Sequence, residues 1–541
     1  MKFINDKIKV TIEQLTTLIY SDVNTQLQFE YMPCDYKKNN ILPDDSAPWQ
    51  IFPKDGRISG RDSHYWFRTR FRTPKKEKDN QEIYFQLLTG KEGQWDATNP
   101  QGLLYLNGKI VQGLDINHTE AILNFDTEYE MYIYFYIGMH ESLVEFNTKL
   151  KILDTKIEKL YYHLNVPYEA MLCLDSGDDN YIEIIKHLEM ACNLIEFRKI
   201  GSTDFYKSID DAICYLDNEF YGKSCGKHNA EVTCIGHTHI DVAWLWTLAQ
   251  TREKVQRSFA TVISLMKKYP EYKFMSSQPQ LYKYLKQEAP ELYEQVKELV
   301  KQGRWEVEGA MWLEADCNLA SGESLVRQVL FGKTFIENEF GIDSKILWLP
   351  DVFGYSAALP QILKKSGVNK FVTSKISWNE YNKLPYDTFM WEGLDGTKIF
   401  TQFITARDFD KNAEDDNITT YVGYIRPKQV LGTWKRYQQK HYNNETIITF
   451  GYGDGGGGPT KDMLEQQRRL QYGLPGFPST KIDTATNFLN RVEENFTKNS
   501  KLLKRMPTWV GELYLELHRG TYTSIAKNKK NNRISEFLYQ S

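Results

Sequence analysis

From Lys227 onward, short apolar runs alternate with longer stretches whose apolar positions fall three and four apart. EVTCIG (231–236) precedes a helix predicted at about 247–268, YKFMSS one at about 279–302, and RWEVEG one at about 322–340. KILWL and a helix at about 356–367 follow, then KFVTS, TKIFTQF, and TIITF with a helix at about 461–473. Strands alternating with helices predict a parallel sheet with right-handed crossovers, open or closed into a barrel. Upstream the period is shorter. YWFRTRF (65–71), EIYFQLL (82–88), GLLYLNG (102–108) and MYIYFYIG (131–138), set between Gly, Asn and Asp, predict an N-terminal β-sandwich. IIKHLEMACNLIEF and DDAICYLDNEFYG lengthen the spacing again and predict helices over about 180–222. The last sixty residues read as helical apart from TWVGELYLEL (508–517). The expected organisation is therefore a sandwich over 1–178, a helical linker over 179–226, an α/β barrel-like domain over 227–482, and an incomplete helical bundle over 483–541.

Composition narrows the class. The 541 residues are 41% hydrophobic and 26% charged, ordinary for a globular chain of several domains. The net charge of -4 comes with lysines and arginines spread along the chain, which excludes an electrostatic footprint for nucleic acid. The N-terminus MKFINDKIKVTIEQLTTLIY lacks a signal-peptide apolar core, and no stretch approaches the ~18 apolar residues of a membrane helix. Seven scattered cysteines without a CxxC pair fit a reducing compartment, so a cytoplasmic location is expected.

Ligands of parallel α/β sheets bind beyond the carboxyl ends of the strands, so those positions are where chemistry is sought. They hold His237, His239 and Asp241 in GHTHIDVAWLW, then Trp312, Glu314 and Asp316, then Asp351 in WLPDVFGYS and Asp454 in GYGDGGGGPT; TWVGELYLEL delivers His518. In an extended chain, side chains at i and i+2 point the same way, so His237, His239 and Asp241 are candidates to converge. Imidazoles with carboxylates suit zinc or a similar divalent ion. One such histidine alone is most often structural; a series of these groups at the strand ends of one sheet points to a site. The glycines Gly455–Gly458 lack the GK[ST] of a phosphate loop and are followed by Pro459. Either they let the backbone approach a bulky polar ligand, or they supply an unusual turn. Aromatic residues make up 14% of the chain, and Trp244, Trp246, Trp305, Trp312 and Trp348 lie near these motifs; most belong to the core and two or three are expected to line the site.

GHTHIDVAWLW, EGAMWLEADCNLASGESLVRQ, LWLPDVFGYSAALPQILKKSGV, GYGDGGGGPT and GELYLELHRGTYTS, in this order, resemble glycoside hydrolase family 38, the retaining zinc-dependent α-mannosidases, in its bacterial and cytosolic branch. The resemblance runs from about 230 to 541, and the sandwich is similar to that branch's accessory β-domain. It implies one zinc ion held by His239, Asp241, Asp351 and His518, with His237 orienting the site instead of binding metal. It implies Asp351 as the nucleophile that forms a covalent mannosyl-enzyme, the metal binding sugar hydroxyls and not activating water. The family's acid lies in a Gly-Asp-Asp type sequence; here Gly453-Asp454-Gly455 offers a single carboxylate, so Asp454 is the candidate acid/base. Trp244, Trp312, Glu314, Asp316 and Arg327 are expected around the pocket.

The implied activity is hydrolysis of terminal α-mannosides of oligosaccharides. Two alternatives stand beside it: a zinc hydrolase of another bond, such as a polysaccharide deacetylase, and a mannose-binding protein without turnover. Members of the family continue for several hundred residues beyond the barrel, whereas this sequence ends at RISEFLYQS, which is read as a C-terminal truncation. Helices left without packing partners would expose apolar surface, so a C-terminal partner chain or a homo-oligomer is expected.

Overall fold

The computed structural model describes residues 2–541 except 26, 38–39, 54–55, 96, 412–417 and 499–503. Two antiparallel sheets form the N-terminal sandwich. The six-stranded sheet runs in the order Gln50–Ile51, Glu30–Cys34, His64–Arg72, Glu128–Tyr136, Gln101–Leu106, Lys109–Leu114. The four-stranded sheet runs Tyr20–Asp22, Asn147–Asp154, Gln81–Leu88, Glu120–Leu123. Alternation puts Phe67, Phe85, Ile133, Phe135 and Leu150 between them. Trp66, Tyr105 and Tyr134 line the opposite face of the larger sheet. That face reaches helix Leu248–Lys268, where the Tyr134 hydroxyl donates to Glu253 at 2.9 Å.

The region 1–178 is not all sandwich. Lys2–Ile19 is a helix that buries Ile8, Thr11, Ile12, Leu15 and Ile19, a helical stripe that its β-branched residues disguise as strand. Thr155–Leu172 is a second helix, capped where the Asp154 carboxylate accepts from Lys156 N and Ile157 N. With Asp179–Leu194 and Thr203–Tyr215 they form a packed layer, and the expected linker is thus part of the body. Its Leu160, Leu188 and Ile209 share one continuous core with Val232, Ile263 and Ile447 of the α/β region.

In that region Trp305–Val307, Phe274–Ser276, Glu231–His237 and Glu445–Phe450 lie side by side and parallel, and Ser479–Ile482 pairs with the first half of Glu231–His237. A second sheet holds Ile346–Trp348, Lys370–Thr373 and Lys398–Phe403 in parallel. Thr388–Glu392 runs antiparallel to Lys398–Phe403 and carries Thr508–Val510 on its far edge. The sheets meet along two seams. The bridge Gly309↔Leu347 forms one; the bridge Gly423↔Phe450 and the buried Thr405–Thr446 hydroxyl pair (2.7 Å) form the other. The helix predicted at 279–302 is two, Pro279–Glu288 and Pro290–Lys301, because Pro290 cannot continue the first.

The segment 483–541 is not a bundle. Helix Ala485–Thr497 sinks Phe488, Leu489, Val492 and Phe496 into the main core, and the Glu306 carboxylate accepts from Ala485 N (2.6 Å) and Thr486 N (2.9 Å) at its first turn. Helix Ala526–Gln540 lies on the surface, tied by the Glu536 carboxylate to Ser321 N (3.0 Å) and Ser324 Oγ (2.7 Å). Its Ile534, Phe537 and Leu538 are exposed. Among the described residues no helix is long and apolar enough to cross a membrane.

Candidate metal and catalytic site

The strand Glu231–His237 ends where the first motif begins, and the chain beyond it changes direction. His237 turns into the core, where its Nε2 accepts from Trp348 Nε1 at 3.2 Å. Burial, with His239 nearby, holds it down at about 3, a neutral ring. The i, i+2 convergence is therefore limited to His239 and Asp241, whose Nε2 and Oδ1 are 3.3 Å apart. His237 instead ties its strand to Ile346–Trp348, the strand that leads to Asp351.

His239, Asp241 and Asp351 each present a ligand atom, all within 4.8 Å of one another. His239 Nε2 is 3.8 Å from Asp351 Oδ2, while its Nδ1 lies 3.1 Å from Glu314 Oε2. Glu314 is itself held by Ser277 Oγ at 2.8 Å, and its amide donates to the Gln278 side chain at 3.3 Å. One imidazole nitrogen and two carboxylates suit a borderline divalent cation. A carboxylate behind the far nitrogen is the usual means of orienting a ligating histidine. The residues therefore fit a metal. Burial alone would lower the His239 pKa, yet Glu314 and Asp241 carry it well above the ordinary imidazole value.

Two residues missed in the sequence complete the cluster. Lys375 Nζ lies 2.5 Å from Asp351 Oδ1 and 4.0 Å from the centre of the Trp378 ring. Tyr421 places its hydroxyl against both Asp351 and Asp454, donating to Asp454 Oδ1 at 2.9 Å. Burial raises the Asp454 pKa, and Asp241 and Asp351 add to this against the opposing pull of His239 and the Tyr421 hydroxyl. Lys375 directly follows the KFVTS strand, so the strand-end rule applied there would have found it. Tyr421 lies in an irregular stretch with no periodic signal.

The loop that carries Asp454 explains the glycines. Asp454 is left-handed (φ 55°), and its carbonyl accepts from Asp241 N at 2.9 Å. Gly456 (φ 83°) and Gly457 (φ 108°) follow in the left-handed region; a Cβ on Gly456 would collide with Ser258 Oγ, and one on Gly455 would crowd Ala97 at 3.1 Å. Helix Leu248–Lys268 and the sandwich close on this loop from either side, so protein contacts account for its lack of side chains. Gln278 (φ 64°), Asp454 and His518 (φ 61°) are strained non-glycine residues grouped around the motifs, as functional sites often show.

A cavity of about 310 Å³ is lined by His239, Asp241, Glu314, Asp316, Asp351 and Phe353, among others. Several expected residues lie elsewhere. Trp312 turns its ring onto Phe335 and donates to Gln280 at 3.2 Å, because its backbone is held by Gln328 O on helix Gly322–Phe340. Arg327 is exposed on that helix and pairs with Glu323 at 2.9 Å. Trp244 is half exposed and is not among the lining residues, which stop at its neighbour Ala243. His518 is not one of the clustered donors: it sits in an exposed turn with its ring on Phe353, 4.7 Å between centroids. Burial and Lys375 lower its pKa against the pull of Asp351.

Residues 229–512 match the glycosyl hydrolases family 38 N-terminal domain. The chain is 33% identical over 502 residues to α-mannosidase G of Dictyostelium discoideum, covering 88% of this chain and 42% of that protein. It is 40% identical over 305 residues to an α-mannosidase of Saccharomyces cerevisiae, covering 56% of this chain and 27% of that one. With α-mannosidase 2C1 of Homo sapiens it shares 38% identity over 321 residues, covering 59% and 29%. The chain thus spans less than half the length of these relatives. With the family's domain matched across more than half of its residues, the chain belongs to glycosyl hydrolase family 38.

Proposed function

We propose that the chain forms the catalytic part of a retaining, zinc-dependent α-mannosidase that removes terminal α-mannose from oligosaccharides. The observation that carries this reading is the Tyr421 hydroxyl within reach of both Asp351 and Asp454, one carboxylate being in the His239–Asp241–Asp351 cluster and the other outside it. A retaining glycosidase needs two carboxyls about 5–5.5 Å apart, and one hydroxyl shared by Asp351 and Asp454 supports assigning them as that pair. The mannosidase relatives supply the sugar.

His239, Asp241 and Asp351 would hold the zinc ion, and His518 would join them only after leaving its place on Phe353. When bound, the metal supplies a fixed positive charge for the sugar hydroxyls and for the oxocarbenium-like distortion of the ring. Asp351 attacks the anomeric carbon and forms an ester as the glycosidic bond breaks. Asp454 gives its proton to the departing oxygen, then takes one from the water that hydrolyses the ester. Lys375 keeps the Asp351 carboxylate paired and aimed, and Tyr421 keeps the two carboxyls apart.

A deacetylase cleaves an acyl bond and forms no glycosyl-enzyme. Treatment with 2-deoxy-2-fluoro-α-mannosyl fluoride separates the readings. Mass spectrometry is expected to find one fluoromannosyl group on the peptide containing Asp351; an unlabelled chain that still cleaves mannosides would overturn the assignment. A cytoplasmic location fits the absence of disulfides among all seven cysteines. The partner chain or second copy expected from the sequence would cover the apolar side of helix Ala526–Gln540.

A further inference from the structure

A second cavity, of about 490 Å³, opens where the three parts of the molecule meet, and it shares no lining residue with the one at His239 and Asp351. The sandwich contributes Tyr84 and Glu120, the helical layer Glu158, and the α/β region Lys268, Tyr452 and Lys461. Ligand sites occur preferentially at such junctions, and the volume lies within their usual ~300–1,000 Å³.

The walls carry paired donors and acceptors. Lys268 Nζ lies 2.5 Å from Glu82 Oε2 and 2.6 Å from the Tyr84 hydroxyl. Lys461 pairs with Glu158 and reaches the Tyr20 hydroxyl at 3.3 Å, and that hydroxyl donates to Glu120 at 2.6 Å. Tyr162 and Tyr424 both donate to Asp462. Tyr84, Glu158 and Tyr162 are buried. Holding buried ion pairs beside an open space costs more than lining it with apolar residues, so this composition points to a polar occupant.

The chemistry of that occupant is narrowed by what the walls offer. Three lining carboxylates, Glu120, Glu158 and Asp462, stand against two lysines, which disfavours an anion. A wholly apolar ligand would displace water from the pairs and return no hydrogen bonds. Yet the tyrosine rings, Ile116 and Leu265 present apolar surface in the same walls. A neutral ring bearing hydroxyls suits both, because hydroxyls donate to carboxylates and accept from lysines while C–H groups lie on aromatic faces.

The cavity also reaches the base of the loop Gly453–Pro459. Tyr452 and Gly458 exchange both backbone hydrogen bonds, at 3.0 and 2.9 Å, and so close the loop. His118, whose Nε2 lies 2.9 Å from the Pro459 carbonyl, meets the Tyr452 ring edge to face at 6.3 Å. His118 and Tyr452 both line the cavity, so an occupant would bear on the residues that hold the loop closed.

We propose that this cavity is a second binding site, for a neutral saccharide of one or two rings, and that its occupant steadies the loop Gly453–Pro459. The proposal goes beyond the α-mannosidase reading and does not need it, since His239, Asp241 and Asp351 take no part in the lining.

The test is hydrogen exchange of the 541-residue chain read by mass spectrometry, with D-mannose, D-glucose, maltose or inorganic phosphate added. At least one sugar is expected to slow exchange in peptides covering both 112–123 and 452–462. The slowing is expected to be lost in Ile122→Trp, which sets a large ring at a partly exposed lining position. If that ring disrupts the strand, Glu120→Ala removes an acceptor instead and is expected to give the same loss. Slowing confined to peptides around 236–246 and 351, where the other cavity lies, would overturn the proposal, as would slowing by phosphate alone or by none of the four. Equal slowing in the native chain and in both variants would also overturn it. Because exchange needs no turnover, a chain that cleaves no mannoside would count against the mannosidase reading only.

Discussion

Asp351 stands where three demands meet: it faces His239 Nε2, pairs with Lys375 and lies within reach of the Tyr421 hydroxyl. Asp351→Asn is therefore expected to abolish turnover with any leaving group while the chain stays folded, which circular dichroism would check. Asp454, the proposed acid, would have a narrower task. Asp454→Ala is expected to slow hydrolysis of alkyl mannosides by about 10²–10⁴-fold, the usual contribution of general acid catalysis. It should affect bond cleavage in a dinitrophenyl mannoside far less, since that group departs unassisted; equal losses in the first half-reaction of both would rule Asp454 out as the acid. Glu314→Gln keeps the shape but removes the charge behind His239 Nδ1, and is expected to weaken zinc binding about 10–100-fold in a chelator competition. At this scale the sequence was informative about identity and poor on direction. His239, Asp241 and Asp351 were legible because the strand-end rule points at them, whereas Lys375 and Tyr421 were missed. Trp312 and Arg327 share a motif with Glu314, yet the chain's turn at Ala310 (φ 58°) and the course of helix Gly322–Phe340 send them elsewhere, and no local pattern encodes that.

At the scale of elements, the loop Gly453–Pro459 is positioned by a histidine from the sandwich. His118 Nε2 lies 2.9 Å from the Pro459 carbonyl and Nδ1 3.0 Å from Asp115 Oδ1. Burial opposes the charged ring, but Asp115 and the carbonyl raise its pKa above the ordinary value. With both nitrogens donating, His118⁺ stabilises the folded state fully below the unfolded imidazole pKa of about 6.5, and this is lost as pH rises through the higher folded value. His118→Ala is expected to cost about 1–3 kcal/mol near pH 6 by leaving buried acceptors unpaired. The gap in melting temperature between native and variant should narrow as pH rises; a gap that widens would contradict the assignment. The alternation of strand and helix after Lys227 was legible because the period changes from 2 to 3.6. The seam through Thr405, Tyr421 and Gly423 was not, since its partners are single bridges and side chains between distant residues.

Over the whole molecule, one apolar core extends from Ile8 to Phe496, and the sandwich closes on the loop Gly453–Pro459. The expected division into sandwich, linker, barrel and bundle blurs because tertiary burial overrides local boundaries: helix Lys2–Ile19 packs with Thr155–Leu172, and Ala485–Thr497 fills the main core. Helical layer and α/β region are accordingly expected to unfold in one calorimetric transition; two well-separated transitions for them would contradict the shared core. The exposed Ile534, Phe537 and Leu538 are expected to promote association, so light scattering should show a mass that rises with concentration and falls in Phe537→Asp/Leu538→Asp.

The central claim is that the cluster of His239, Asp241 and Asp351, with Asp454 beside it, is a metal-dependent mannoside-cleaving site. The most direct measurement is hydrolysis of p-nitrophenyl α-mannoside by the purified chain with zinc, with chelator, and with Asp351→Asn. Turnover that needs zinc, is lost to the chelator and recovered on zinc addition, and is absent in the variant is the predicted result. Turnover that survives in Asp351→Asn, or a folded chain that binds one zinc ion and cleaves no mannoside, would contradict it.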